Sequence, residues 1–200
     1  MGGMPEPADV RRDMASQLRE SVAAVAALAG HLDVLAAIAD RLFACLESGG
    51  TIYLCGNGGS AADAQHVAAE FVGRFLLERR PLPAIALTCN TSILTAIGND
   101  YDFSQVFARQ VRAHATPRDC VVGISTSGKS ANVLEALRAA REAGACTIGF
   151  TGSDGHALAA LCDACLLAPS ASTPRIQEAH LAAWHLVCDA VERRVAAVER

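Results

Sequence analysis

Five short apolar runs punctuate the middle and end of the chain: Thr51–Cys55, Ala84–Thr88, Cys120–Ile124, Cys146–Phe150 and Ala164–Ala168. Each is bounded by Gly, Ser or Pro, and none alternates polar with apolar positions. That pattern predicts parallel strands covered on both faces. Helical periodicity fills the gaps, over Ser60–Leu77, Thr91–Gly98, Phe103–His114, Ser130–Ala143 and from about Pro174 to the end. Strands alternating with helices predict an α/β fold, a doubly wound five-stranded parallel sheet. Ligands of such a sheet sit beyond the C-terminal ends of the strands. Two further helical patterns come first, roughly Ala8–Ala29 and His31–Ser48, with Gly30 and Gly49-Gly50 as punctuation. Both are apolar on more than one stripe, more than a chain of this size can cover, so self-association through residues about 9–48 is expected. Residues 1–8 are Gly/Pro-rich and expected to be disordered; residues 9–200 then form a single domain with an N-terminal helical extension.

Composition narrows the functional classes. With 52% hydrophobic residues and only 4% aromatics, the chain favours helices on a buried sheet over an all-β sandwich. The formal net charge is −4 and no Lys/Arg run exceeds two residues, so no nucleic-acid footprint is present. Met1–Val10 does not read as a signal peptide, and Val22–Gly30 is far too short to span a bilayer. A soluble, cytoplasmic protein with no membrane partner is expected. The eight cysteines lie mostly in apolar runs and read as buried, reduced thiols. Cys162 and Cys165 form the one close pair, and no second pair exists to complete a zinc knuckle.

Two Gly/Ser loops each leave a strand and open a helix. In the first, Gly56-Asn57-Gly58-Gly59-Ser60-Ala61, the glycines allow close backbone approach to a ligand and Ser60 is placed to cap the helix. In the second, Gly123 to Ser130, Ser125, Thr126, Ser127 and Ser130 offer several hydroxyl donors to a phosphate. Free amides at both helix starts favour an anion. The first loop fits a dinucleotide fingerprint, but the acidic residue expected at the end of the second strand is missing. The second fits G-x-x-x-x-G-K-S, the P-loop pattern, yet no candidate strand ends in the Asp that would hold magnesium. Either loop alone could be a tight turn with a cap.

Among polar residues, His66 and Glu70 are four apart on one helix face. An isolated pair of this kind is usually solvent-exposed, but this helix starts at a ligand-type loop. Asn99 and Asp100 follow Gly98 in turn chemistry. Gln177, Glu178, His180 and His185 share the last helix, where His180 and His185 cannot both face one site.

Taken together, Gly56 to His66, Leu94 to Tyr101, Ile124 to Gly128 and Arg175 to His180 resemble blocks of the sugar isomerase (SIS) domain family, in family order. The resemblance is narrower to the branch that isomerises sedoheptulose 7-phosphate, and with the leading helices it spans nearly the whole chain. It implies a flavodoxin-like SIS fold and an aldose–ketose isomerase making D-glycero-D-manno-heptose 7-phosphate, the entry to nucleotide-activated heptoses. It implies a substrate site at Asn57, Gly58, Gly59, Ser60, Glu70, Asn99, Asp100, Ser125, Thr126, Ser127, Ser130 and Gln177. It implies one zinc per subunit at positions matching His66, Glu70, Gln177 and His185, and a homotetramer with active sites near subunit contacts. The chain departs from the family at Lys129, where Asn is common, and at Pro174, where some members have Asp.

Moving a proton from C1 to C2 through an enediol needs a base at carbon and acid/base help at two oxygens. Glu70 as base and His185 as partner are the catalytic expectation. Gln177 and His185 are about 12 Å apart along one ideal helix, so either an ion sits between the two stretched side chains or, the favoured reading, one ligand comes from a neighbouring subunit. The rival readings are a non-enzymatic SIS protein that binds a phosphosugar or a replication-initiator partner, a phosphosugar sensor, and an NTPase.

Overall fold

A computed structural model describes residues 7–198, so most of the stretch expected to be disordered lies outside the described residues; Pro7 and Ala8 already belong to the first helix. Helix α1 (Pro7–Ala26) passes through a 3-10 turn (Ala27–His31) into α2 (Leu32–Glu47) without a break. Gly30 lies within the 3-10 turn that separates the two α-helices, so the α geometry changes there while the chain stays helical. The consequence corrects the N-terminal reading: Asp9–Glu47 is one helical run long and apolar enough to cross a membrane by length and composition. Its second half is a core helix, because Leu35, Ile38, Ala39, Leu42, Cys45 and Leu46 are buried.

Five strands follow: β1 (Ile52–Gly56), β2 (Ala84–Ala86), β3 (Cys120–Ser125), β4 (Cys146–Gly152) and β5 (Ala164–Ala168). All pair in parallel, in the order β2-β1-β3-β4-β5. The intervening helices are α3 (Gly59–Val72), α4 (Thr91–Asp100), α5 (Ala108–His114), α6 (Ala131–Glu142), the short α7 (His156–Ala159) and the long α8 (Thr173–Val198). This is the doubly wound sheet the alternation predicts. β2 is the exception to two-sided cover: it lies at the sheet edge and leaves Ile85 exposed.

Two cores flank the sheet because alternate strand residues point to opposite faces. Leu54, Val122, Ile148 and Leu166 face α2, α3 and α8, where Phe71, Leu42 and Trp184 fill the space. Tyr53, Cys55 and Val121 face α5 and α6 through Val111, Val133 and Leu137. β1 and β3 are neighbours in register, Gly56 beside Ile124. From β1 the chain turns to one edge, and from β3 to the other. Their C-terminal ends therefore form the switch point where ligands of such sheets bind.

Two helices differ from the periodicity. α3 stops at Val72 instead of running to Leu77, and residues 103–114 divide into a 3-10 turn (Phe103–Gln105) and α5. All eight cysteines are free thiols.

Candidate active site

The two loops meet at the switch point. Gly58 takes φ +55° and ψ −120°, a conformation that strains any residue with a Cβ. That turn lets α3 start at Gly59, two residues earlier than a cap at Ser60 would allow. Ser60 consequently does not cap the helix: the cap position is Gly58, with no side-chain cap bond, and Ser60 is buried in the first turn. Across the crevice, Ser130 precedes α6, and its hydroxyl meets that of Ser125 at 2.9 Å instead of capping. Thr126 is tied down from behind, because Gly152 N–H donates to its carbonyl at 3.0 Å.

Between the loops lies a cavity of about 300 Å³. Asn57, Gly58, Gly59 and Ser60 form one wall, Ser125, Thr126 and Ser130 another, and Thr173 and Gln177 of α8 close it. Hydroxyls and the start of a helix converge on one small volume, which suits a phosphate. Ser127 and Lys129 instead face an adjoining smaller cavity on the other side of Thr126. Gly123, the first glycine of the P-loop match, sits inside β3, where a Cβ would strike Val133 and Leu137. The phosphate loop thus begins only after Ser125, too short for a P-loop wrap, and no strand ends in Asp. The NTPase reading loses its geometry.

Asn132 is a member of the site that the sequence reading missed. It is buried, and it exchanges two amide hydrogen bonds with Asn57, at 2.9 and 2.8 Å. This pair clamps the glycine loop to α6 across the switch point. An Asn on the buried face of a helix, two residues after a serine-rich loop, was its only sequence signal.

A seam between α3 and α8 leads away from the cavity. At its head Gly59 abuts Gln177 so closely that a Cβ there would lie 2.3 Å from Gln177 Nε2. About 10 Å further along the helix, His66 Nε2 meets His185 Nε2 at 3.2 Å and lies 3.5 Å from Glu70 Oε1. The His185 ring is backed by Phe75, with ring centroids 5.5 Å apart. Asp63, one turn before His66, is half-buried, and its Oδ2 has no partner among the described residues. Burial raises its pKa, opposed by the nearby His66.

The seam can be tested as a zinc site. Two donors about 2.05 Å from a tetrahedral zinc are about 3.3 Å apart. The His66–His185 separation matches that value and the His66–Glu70 separation is close to it. Both contacts run through His66, and among the described residues no three His, Cys, Asp or Glu side chains close into a metal cage. Gln177 sits with the glycine loop, away from the two histidines. The donor types fit zinc, but the structure brings them together only in pairs, His66 with His185 and His66 with Glu70.

Two expected residues stand apart. Asn99 and Asp100 are exposed at the end of α4 and bond each other at 2.8 Å; α4 buries none of its own residues. His180 faces away from His185, as the helix angle requires. It is fully buried, with Nε2 at 3.1 Å from the Thr151 carbonyl.

Known proteins resemble this chain in both sequence and fold. A model of the SIS domain matches residues 15–152. The phosphoheptose isomerase of Roseiflexus sp. (strain RS-1) is 59% identical over 160 residues, 80% of this chain and 81% of that one. That of Geobacter sulfurreducens is 55% identical over 92% of this chain and 97% of its own. The solved structure of phosphoheptose isomerase from Neisseria gonorrhoeae superposes with a TM-score of 0.85 at 45% identity, covering 91% of this chain and 99% of that one.

Proposed function

Because the chain belongs to the SIS-domain family, and within it to the phosphoheptose isomerases, we infer that it is an aldose–ketose isomerase converting sedoheptulose 7-phosphate to D-glycero-D-manno-heptose 7-phosphate. Its product would feed nucleotide-activated heptoses. The observation that carries the reading is the seam between α3 and α8. A hydroxyl-lined cavity suited to a phosphate lies at its head, and a carboxylate with two imidazoles lies about 10 Å along it. That separation is on the scale of an extended seven-carbon sugar. A purely binding SIS protein has no need of the Glu70–His66–His185 group.

In the proposed reaction Ser125, Thr126 and Ser130 hold the phosphate, while Asn57, Gly58 and Gly59 let the sugar chain pass close to the backbone. Glu70 takes the proton from C1 and returns it to C2. His185 gives a proton to O2 as the enediol forms and takes the proton from O1 as the aldehyde forms, so no net proton is gained or lost. Gln177, packed on Gly59, is placed to orient the middle of the chain. His66, Glu70, His185 and Gln177 are the candidate zinc ligands; bound there, the ion would supply polarisation of the sugar carbonyl. A Glu70 committed to a metal is a weaker base, so the two roles compete for one carboxylate.

Gln177 does not reach the histidines within one chain, which supports a site completed by a neighbouring subunit. α1 presents Val10, Met14, Leu18, Val22 and Val25 on an exposed apolar stripe, and α4 lies unburied with Asn99 and Asp100 at its end. Both features support the homotetramer. The charge balance and the soluble core role of α2 support a cytoplasmic location.

The test is incubation with sedoheptulose 7-phosphate followed by NMR of the sugar, with and without a chelator. New aldose signals are expected; none from zinc-replete protein would sink the isomerase reading. Chelation that leaves the rate unchanged would remove zinc from the reaction. Glu70→Gln is expected to lower turnover by about 10²-fold or more with an unaltered melting curve, and retained turnover would rule Glu70 out as base.

A further inference from the structure

Behind the reacting side chains lies a buried ion pair that the proposed reaction does not use. Arg79 and Glu192 have side chains only 1% and 2% exposed, with Arg79 Nε 3.3 Å from Glu192 Oε1. Charges this deeply buried destabilise a fold unless their remaining hydrogen-bonding positions are satisfied. Here most of them are satisfied by backbone, while Arg79 Nε, beside Glu192, makes the ion pair but no hydrogen bond among the described residues. Arg79 donates to the carbonyls of Phe71, Gly73 and Arg80 at 2.8, 2.9 and 2.9 Å, and to the carbonyl of Glu70 at 2.8 Å. Glu192 accepts from the amides of Phe75, Leu76 and Leu77 at 2.8, 2.6 and 2.8 Å.

The sequence shows why the clasp is there. α3 ends at Val72, and its last carbonyls have no partners within the helix. The chain then loops through residues 73–80 and delivers a cation back to those carbonyls, the favourable sign at a helix C-terminus. Glu192 belongs to α8, seven residues after His185, so the two lie on similar faces about 10 Å apart along the axis. One end of the clasp therefore grips the helical turn of Glu70, and the other belongs to the helix of His185. Phe75, whose amide Glu192 holds, also packs its ring against His185.

We propose that Arg79 and Glu192 are positioning residues that fix the spacing between the Glu70 carboxylate and the His185 imidazole. This rests on the reading of Glu70 and His185 as the reacting pair. Four carbonyls and three amides meet this pair of charges. An apolar pair of the same volume would fill the space but leave those groups without partners and the loop free to shift. Burial alone would raise the Glu192 pKa, but the three amides and Arg79 outweigh it and hold the carboxyl below its ordinary range, so Glu192 stays ionised near neutrality.

The experiment compares the unaltered protein with Glu192→Gln and Arg79→Lys. It measures initial rates over a range of sedoheptulose 7-phosphate, inhibition by inorganic phosphate, and melting by circular dichroism. A misplacement near 1 Å at reacting groups is worth about 10²-fold. Accordingly kcat is expected to fall about ten- to a hundredfold, while KM and the phosphate inhibition constant stay within about twofold. An unchanged kcat in a folded variant overturns the proposal. So does a loss of phosphate affinity that matches the fall in kcat, because that reports general loosening. If a single variant fails to fold, the double change R79M/E192L restores an uncharged, space-filling pair. It is expected to fold and still show the low kcat, and full kcat there would also overturn the proposal. Absence of turnover by the unaltered protein would instead defeat the isomerase reading, and the clasp's role with it.

Discussion

Lowering the pH from 7 to 4 should expose His180 as a buried neutral group. Its Nε2 lies 3.1 Å from the Thr151 carbonyl, so that nitrogen carries the hydrogen and donates. Nδ1 has no partner among the described residues, Phe150 packs edge-on against the ring, and Trp184 stacks on Phe150. Protonating Nδ1 would place a charge in an apolar core, and burial accordingly lowers the pKa to about 4 from the ordinary 6.5, despite the opposing bond to Thr151. The sign follows directly. Between those values the unfolded chain binds a proton that the native protein does not, so stability rises with pH through the window and is lost on acidification. The loss attributable to this one group between pH 7 and 4 is about 3 kcal/mol. His180→Gln keeps a donor near Nε2 and removes the titration. Urea unfolding of both proteins at stepped pH measures the difference, and Trp184, the sole tryptophan and fully buried against Phe150, supplies the fluorescence signal. The variant starts less stable at pH 7 and the gap should narrow as the pH falls. Parallel pH profiles would refute the reasoning.

Gly59→Ala puts a Cβ where the Gln177 amide now lies, so Gln177 must swing away. Alanine favours the helix by up to about 1 kcal/mol; the melting temperature should hold or rise while kcat/KM falls, and unchanged kcat/KM would show that the Gln177 position is immaterial. Ser130→Ala removes one hydroxyl of the Ser125–Ser130 pair, and a hydrogen bond to a charged phosphate is worth about 1.5 to 3 kcal/mol. KM measured for the sugar phosphate should therefore rise at least about tenfold with little change in kcat.

The strands and their order along the chain were legible because each is a short apolar run with turn residues on both sides. The glycine loop and the serine loop were legible as well, since their chemistry is local. Asn132 was not, because its meaning depends on Asn57, 75 residues away in sequence. The extent of α3 was misread for a similar reason. Residues 73–77 continue the apolar pattern, but Arg79 and Glu192 bind the backbone there and end the helix. Gly30 does fall where one α-helix gives way to the next, but as part of a 3-10 turn and not as a gap in the helical run.

Local pattern by itself determined the α/β class, the two loops and the shared helix face of His66 and Glu70, because periodicity and side-chain chemistry are written residue by residue; the role expected of His185 came from the family resemblance. Only the tertiary structure decided the rest. It placed β1 beside β3, brought His66 against His185, 119 positions apart, set Gln177 on Gly59 and drew a buried cation onto the end of α3. The physical reason is the same in each case. Close packing and the need to satisfy every buried polar group are conditions on the assembled interior, and separate segments meet them only together.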